Sequence, residues 1–153
     1  MCSEAAWAKS RKDERRSLGE RLDYNSTLTN QDPHAPHRVL YTRSGTHVSA
    51  CVVDISAGIP KQRGIGPAGF MAESGTYWYA PESTDEAHYL AAVLNSGCVN
   101  RAIKPYQTRG AYKGERDIHR RPFEVLPEPI PVFNPSDARH ARLAQLSRDC
   151  HSL

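Results

Sequence analysis

The stretch Gln107-Thr108-Arg109-Gly110-Ala111-Tyr112-Lys113-Gly114-Glu115-Arg116 interleaves three cations with an aromatic ring and two glycines. That mixture suits contact with a nucleic acid. Glycine lets backbone approach a phosphate closely, Lys and Arg neutralise its charge, and the Arg fork can read a base edge. From Arg101 to Arg121 there are seven basic residues against two acidic ones, a local charge of +5, whereas the whole chain carries +3. From Ile55 to His88 two basic residues face four acidic ones, or −2. The positive field is thus concentrated in one segment, and Arg109, Gly110, Tyr112, Lys113, Arg116, His119, Arg120 and Arg121 are its candidate DNA-contacting residues. Without a ligand the same segment reads as a solvated loop.

Other chemistry-bearing residues carry less. His119 titrates near neutrality as a type, but no Asp, Glu or Ser at a defined spacing supports a general-base role, so it reads as a structural or phosphate-bonding side chain. Tyr77-Trp78-Tyr79 offers rings for base stacking, yet in a short strand alternate rings turn toward the core. Gly64-Ile65-Gly66-Pro67-Ala68-Gly69 has the outline of a dinucleotide turn, spoiled by Pro67 and by the missing strand before it. Cys2, Cys51, Cys98 and Cys150 are too scattered to form a zinc spacing with the seven histidines, and are expected to be reduced and structural. No catalytic, cofactor-binding or metal-ligating residue is assigned.

The 153 residues suit one domain. An apolar fraction of 39%, a charged fraction of 24% and a mean hydropathy of −0.63 describe a polar chain with a lean core. No run approaches the ~20 apolar residues of a membrane span, and the start lacks a signal-peptide core, so a bacterial cytoplasmic location is expected. Ser3 to Leu22 favours a helix whose apolar face (Trp7, Leu18, Leu22) is thin, and residues 1–24 are expected to be a severed linker ahead of a single domain over 25–153. Arg38–Arg43 and His47–Asp54 read as a hairpin turning at Ser44-Gly45-Thr46. Ser56–Gly69 reads as a loop, and Thr76–Tyr79 as a strand. Ser83 and Glu86 outline a capping box before a helix burying Ala87, Leu90, Ala91 and Leu94. Ser96 is expected to cap a second helix that ends at Pro105. Pro127, Pro129 and Pro131 suggest an edge strand or extended segment. Ser136 is expected to cap a last helix burying Leu143, Leu146, Cys150 and Leu153. The sum is an α+β fold, a hairpin and short strands packed with helices.

Several stretches together resemble a known family. They are Leu28-Thr29-Asn30-Gln31, Val39 to His47, Tyr77-Trp78-Tyr79, Glu86 to Ser96, Arg116-Asp117-Ile118-His119-Arg120-Arg121-Pro122, and Pro129 to Phe133 followed by Asp137 and His140. As a set they resemble the C-terminal target-recognition region of N6-adenine-specific DNA methyltransferases of restriction-modification systems, which is related to the specificity subunits of type I systems. The resemblance implies a module or fragment that grips double-stranded DNA and positions it for a methyltransferase catalytic domain or subunit. That partner would hold S-adenosylmethionine. The family's glycine turn for the cofactor and its Asn-Pro-Pro-aromatic motif have no counterpart here, Asn134-Pro135-Ser136 being the nearest approach. The rival readings are a stand-alone nucleic-acid binder, a subunit-assembly piece and a nuclease built on His119.

Overall fold

The computed structural model describes residues 17–23, 26–58, 69–73, 75–109, 116–118 and 129–152. Along the chain come α1 (Leu18–Leu22), β1 (His37–Thr42), β2 (Ala50–Asp54), β3 (Thr76–Tyr79), α2 (Thr84–Leu94), α3 (Gly97–Ile103), a 3-10 turn (Lys104–Tyr106), the short strands β4 (Thr108–Arg109) and β5 (Arg116–Asp117), and α4 (Ala138–His151). An antiparallel sheet in the order β2-β1-β3 is backed by α2, on which α4 lies, and β4 and β5 form a separate ribbon. This is the expected α+β class.

Strand β1 occupies the centre of the sheet because its alternation suits burial. Val39 and Tyr41 turn to one face and are buried there; Val39 faces Val52 and Tyr79, and Tyr41 faces Ala50 and Tyr77. Ala87, Leu90, Ala91 and Leu94 recur at helical spacing and lay one stripe of α2 against that face, closing a core with Val48, Val99, Ile103 and Ile118. The start of α2 is held as its residue types demand: the Ser83 hydroxyl accepts from the Glu86 N–H at 3.2 Å. Glu86 does not complete the box with Ser83, since its carboxylate accepts from the Glu82 N–H at 3.0 Å instead.

Three expectations are revised and one is narrowed. The helix expected from Ser3 is not continuous to Leu22, because Ser17 is extended and starts α1 through a reciprocal capping box with Glu20; residues 1–16 lie outside the described residues. The hairpin does not turn within Ser44-Gly45-Thr46. Its connection runs from Arg43 to Ser49, because Val48 dives into the core while its N–H bonds Asn100 Oδ1 at 2.7 Å. Gly45 does take the positive φ (+131°) expected of a glycine there. Of the two alternatives for the proline-rich segment, the edge strand is absent from residues 129–132; residues 123–128 lie outside the described residues. Finally, Asp137, not Ser136, caps α4, its carboxylate accepting from the Arg139 N–H at 2.8 Å; Arg139 holds that carboxyl far below its usual range.

The buried face of α4 also differs from the one its leucines outline. Leu146 and Cys150 are exposed, and Ala144 and Ser147 are buried. The α2 surface facing α4 carries His88 and Tyr89, so small and polar partners fit it better than leucines. Ser147 Oγ meets His88 Nδ1 at 3.1 Å, the His140 ring lies 4.5 Å from that of Tyr89, and Arg148 pairs with Asp85. His151 Nδ1 donates to the Ser147 carbonyl at 2.8 Å, which leaves Nε2 free to accept from the Val52 N–H at 3.1 Å on the open edge of β2.

The other face of the sheet is closed by loops. Gln31, buried, binds both the N–H and the C=O of Ala72, and Gly69 lies so near Pro33 that a Cβ there would meet the Pro33 oxygen at 2.6 Å. Beneath them Arg38 is 1% exposed, donates to the Asp32 carbonyl and lies over Phe70.

Burial, and then the nearby His151 ring, lower the His88 pKa below its ordinary value. The folded state therefore favours neutral His88, while the unfolded chain binds a proton with a pKa of about 6.5. Its contribution to stability is full above about pH 6.5 and is lost as pH falls toward the lowered folded value. Urea midpoints measured from about pH 7.5 down to pH 5 should fall, and less steeply in His88→Asn. Equal slopes for the two proteins would show that His88 carries none of this dependence.

Candidate nucleic-acid interface

The basic segment is held at one end of the sheet by a chain of local devices. Leu94, fully buried, ends α2 in the core, and Asn95 then clasps the edge of β2: its Oδ1 accepts from the Ala50 N–H and its Nδ2 donates to the Ala50 carbonyl, both at 2.8 Å. Ser96 restarts the helix, its hydroxyl accepting from the Val99 N–H at 3.2 Å. Helix α3 puts Val99 and Ile103 into the core and leaves Arg101 outside. Pro105 ends the α-helix in a 3-10 turn on which Lys104 and Tyr106 are exposed.

The ribbon is rooted beyond that turn. Gln107 Nε2 donates to the Gly45 carbonyl at 3.3 Å, and the Ile118 N–H donates to the Arg43 carbonyl at 3.1 Å. Ile118 itself is a core residue, 2% exposed. Both legs of the ribbon are therefore tied to the β1–β2 connection, which brings two distant segments to the same end of the sheet. The register sets Arg109 opposite Arg116 and Thr108 opposite Asp117.

Of the residues singled out from the sequence, Arg109 and Arg116 lie on this ribbon as facing partners. Gly110, Tyr112, Lys113, His119, Arg120 and Arg121 lie outside the described residues. The same end carries residues not chosen from the sequence. Arg43 lies with its guanidinium 5.8 Å from the Tyr77 ring, His47 is exposed on the hairpin connection, and Arg101 and Lys104 make no ion pair among the described residues. The signal for Arg43 and His47 was present as two basic residues flanking the Gly45 turn.

The aromatic strand divides. The Tyr77 ring packs on Tyr41, with centroids 5.3 Å apart, and so serves the core; Tyr79 is 44% exposed at the opposite end of the sheet. Among the described residues no group of three or more His, Cys, Asp or Glu is placed to hold a metal ion, and no helix is long and apolar enough to cross a membrane. Cys51, Cys98 and Cys150 are free and exposed, and burial around the sulfur raises the Cys51 thiol pKa. No family model, curated protein or solved structure matches this chain.

Proposed function

We propose that this chain is a DNA-binding module, the target-recognition part of an adenine-specific DNA methyltransferase of a restriction-modification system. Catalysis and S-adenosylmethionine then belong to a separate domain or subunit. One observation supports DNA contact above the others: both legs of the β4–β5 ribbon are tied to the Arg43–Ser49 connection, so cations from the hairpin, from α3 and from the ribbon share one end of the sheet. The root of the ribbon is anchored by Ile118, which is buried in the core. Two arginines at facing register positions suit an anionic partner. The methyltransferase context rests on the sequence resemblance.

The reading is tested by adding duplex DNA to the isotope-labelled chain and following amide signals. Shifts are expected to cluster at Arg43–Val48, Arg101–Arg109 and Arg116–Ile118. Shifts confined to Tyr79–Leu90 and Ile130–Phe133, at the far end of the sheet, would move the interface elsewhere; none at stoichiometric duplex would remove it.

A further inference from the structure

The end of the sheet opposite the ribbon has the reverse chemistry. There β3 finishes at Tyr79, α2 begins, and Ile130–Phe133 crosses outside them, held by the Tyr89 hydroxyl donating to the Pro131 carbonyl at 3.0 Å. Between these pieces lies a cleft of about 300 Å³, at the lower end of the range for small-molecule sites. Its walls are the rings of Tyr79, Tyr89 and Phe133 with the aliphatic side chains of Leu90 and Ile130, and among the described residues Glu86 is the acidic or basic side chain that lines it.

Glu86 is fixed without being neutralised. One carboxylate oxygen accepts from the Tyr79 hydroxyl at 3.3 Å and the other from the Glu82 N–H at 3.0 Å. No cation among the described residues pairs with Glu86 or Glu82, while the third acid of this turn, Asp85, is already taken by Arg148. Among the described residues, the carboxylates of Glu82 and Glu86 outweigh the roughly half positive charge of the α2 N-terminus. An anion is therefore repelled from this cleft, whereas a cation gains both from the carboxylate and from the ring faces around it.

We propose that this cleft is a binding site for a small organic cation, an ammonium group on a single aromatic ring or a short alkyl body. Glu86 faces the ammonium, and Tyr79, Tyr89 and Phe133 enclose the apolar part. The site is separate from the basic end and does not depend on DNA binding.

The probes are phenethylammonium and its neutral counterpart of similar shape, 2-phenylethanol, titrated into the full chain with amide signals as the readout. Phenethylammonium should shift Tyr79, Glu86, Tyr89 and Phe133 saturably and bind about ten-fold more tightly than the alcohol. Glu86→Gln removes the charge while its amide oxygen can still accept from the Glu82 N–H and its NH2 can donate to the Tyr79 hydroxyl oxygen. It should abolish that preference while leaving the affinity for the alcohol unchanged. The parent comparison decides the matter even if the variant does not fold: equal affinity for the two probes, or no saturable shift at these residues, overturns the proposal. A folded Glu86→Gln chain that keeps the full preference for the cation also overturns it.

Discussion

Leu94→Ala is expected to lower the unfolding free energy by about 2 to 5 kcal/mol, the range for emptying a closed aliphatic site. Leu94 is fully buried where α2 gives way to the Asn95 clasp, among Val39, Tyr41, Val99 and Ile103. The surrounding backbone is pinned by the Asn95 bonds to Ala50 and by the Asn100 bond to Val48, so it has little freedom to collapse into the void. Against a typical domain stability of about 5 to 15 kcal/mol, that is a large share. The useful control is Leu146→Ala. Leu146 is 42% exposed, and its truncation should cost about 0.5 kcal/mol or less. Urea denaturation of both variants checks the pair. Equal costs would mean that α4 presents its leucines to the core after all.

Simultaneous replacement of Arg109, Lys113 and Arg116 by Ala should produce the largest functional loss. Each phosphate neutralised contributes about −0.9 to the log-log dependence of affinity on salt, so losing three such contacts should make the slope shallower by about three such steps. If one of the arginines reads a guanine edge, its removal should add roughly 1 to 3 kcal/mol on the preferred sequence and little on others. The substitution leaves the two ties at the root of the ribbon, Gln107 to Gly45 and Ile118 to Arg43, in place. Gly110→Val is a companion that leaves charge untouched; it should weaken binding if backbone approaches phosphate at that glycine.

How much of this was legible in the sequence depended on whether a signal was local. The α2 stripe, its Ser83 cap, the Ser96 cap and the Pro105 stop each rest on a few neighbouring residues, and the structure has them where the pattern puts them. The buried face of α4 was misread because it is set by what α2 presents. His88 and Tyr89 select Ser147, Ala144 and His140, which no count of leucines can anticipate. The hairpin connection was misread for a similar reason, since Val48 and Asn100 are distant in sequence and meet only after α3 has folded back. The excess of cations from Arg101 to Arg121 was plain in the chain, but the ties from Gln107 to Gly45 and from Ile118 to Arg43, which add the hairpin cations to the same end, were not. The cleft around Glu86 draws on three separate segments and leaves no linear motif.

The most direct test of DNA binding through the ribbon is a side-by-side titration of the parent chain and the Arg109, Lys113, Arg116 triple-alanine variant with duplex DNA at several salt concentrations. The fold of both should be checked first by their urea midpoints. The account predicts that the parent binds with an affinity that falls steeply with salt, and that the variant, equally stable, binds more weakly at low salt with a distinctly shallower slope. A folded variant that binds duplex DNA as tightly as the parent, with the same salt dependence, would contradict it.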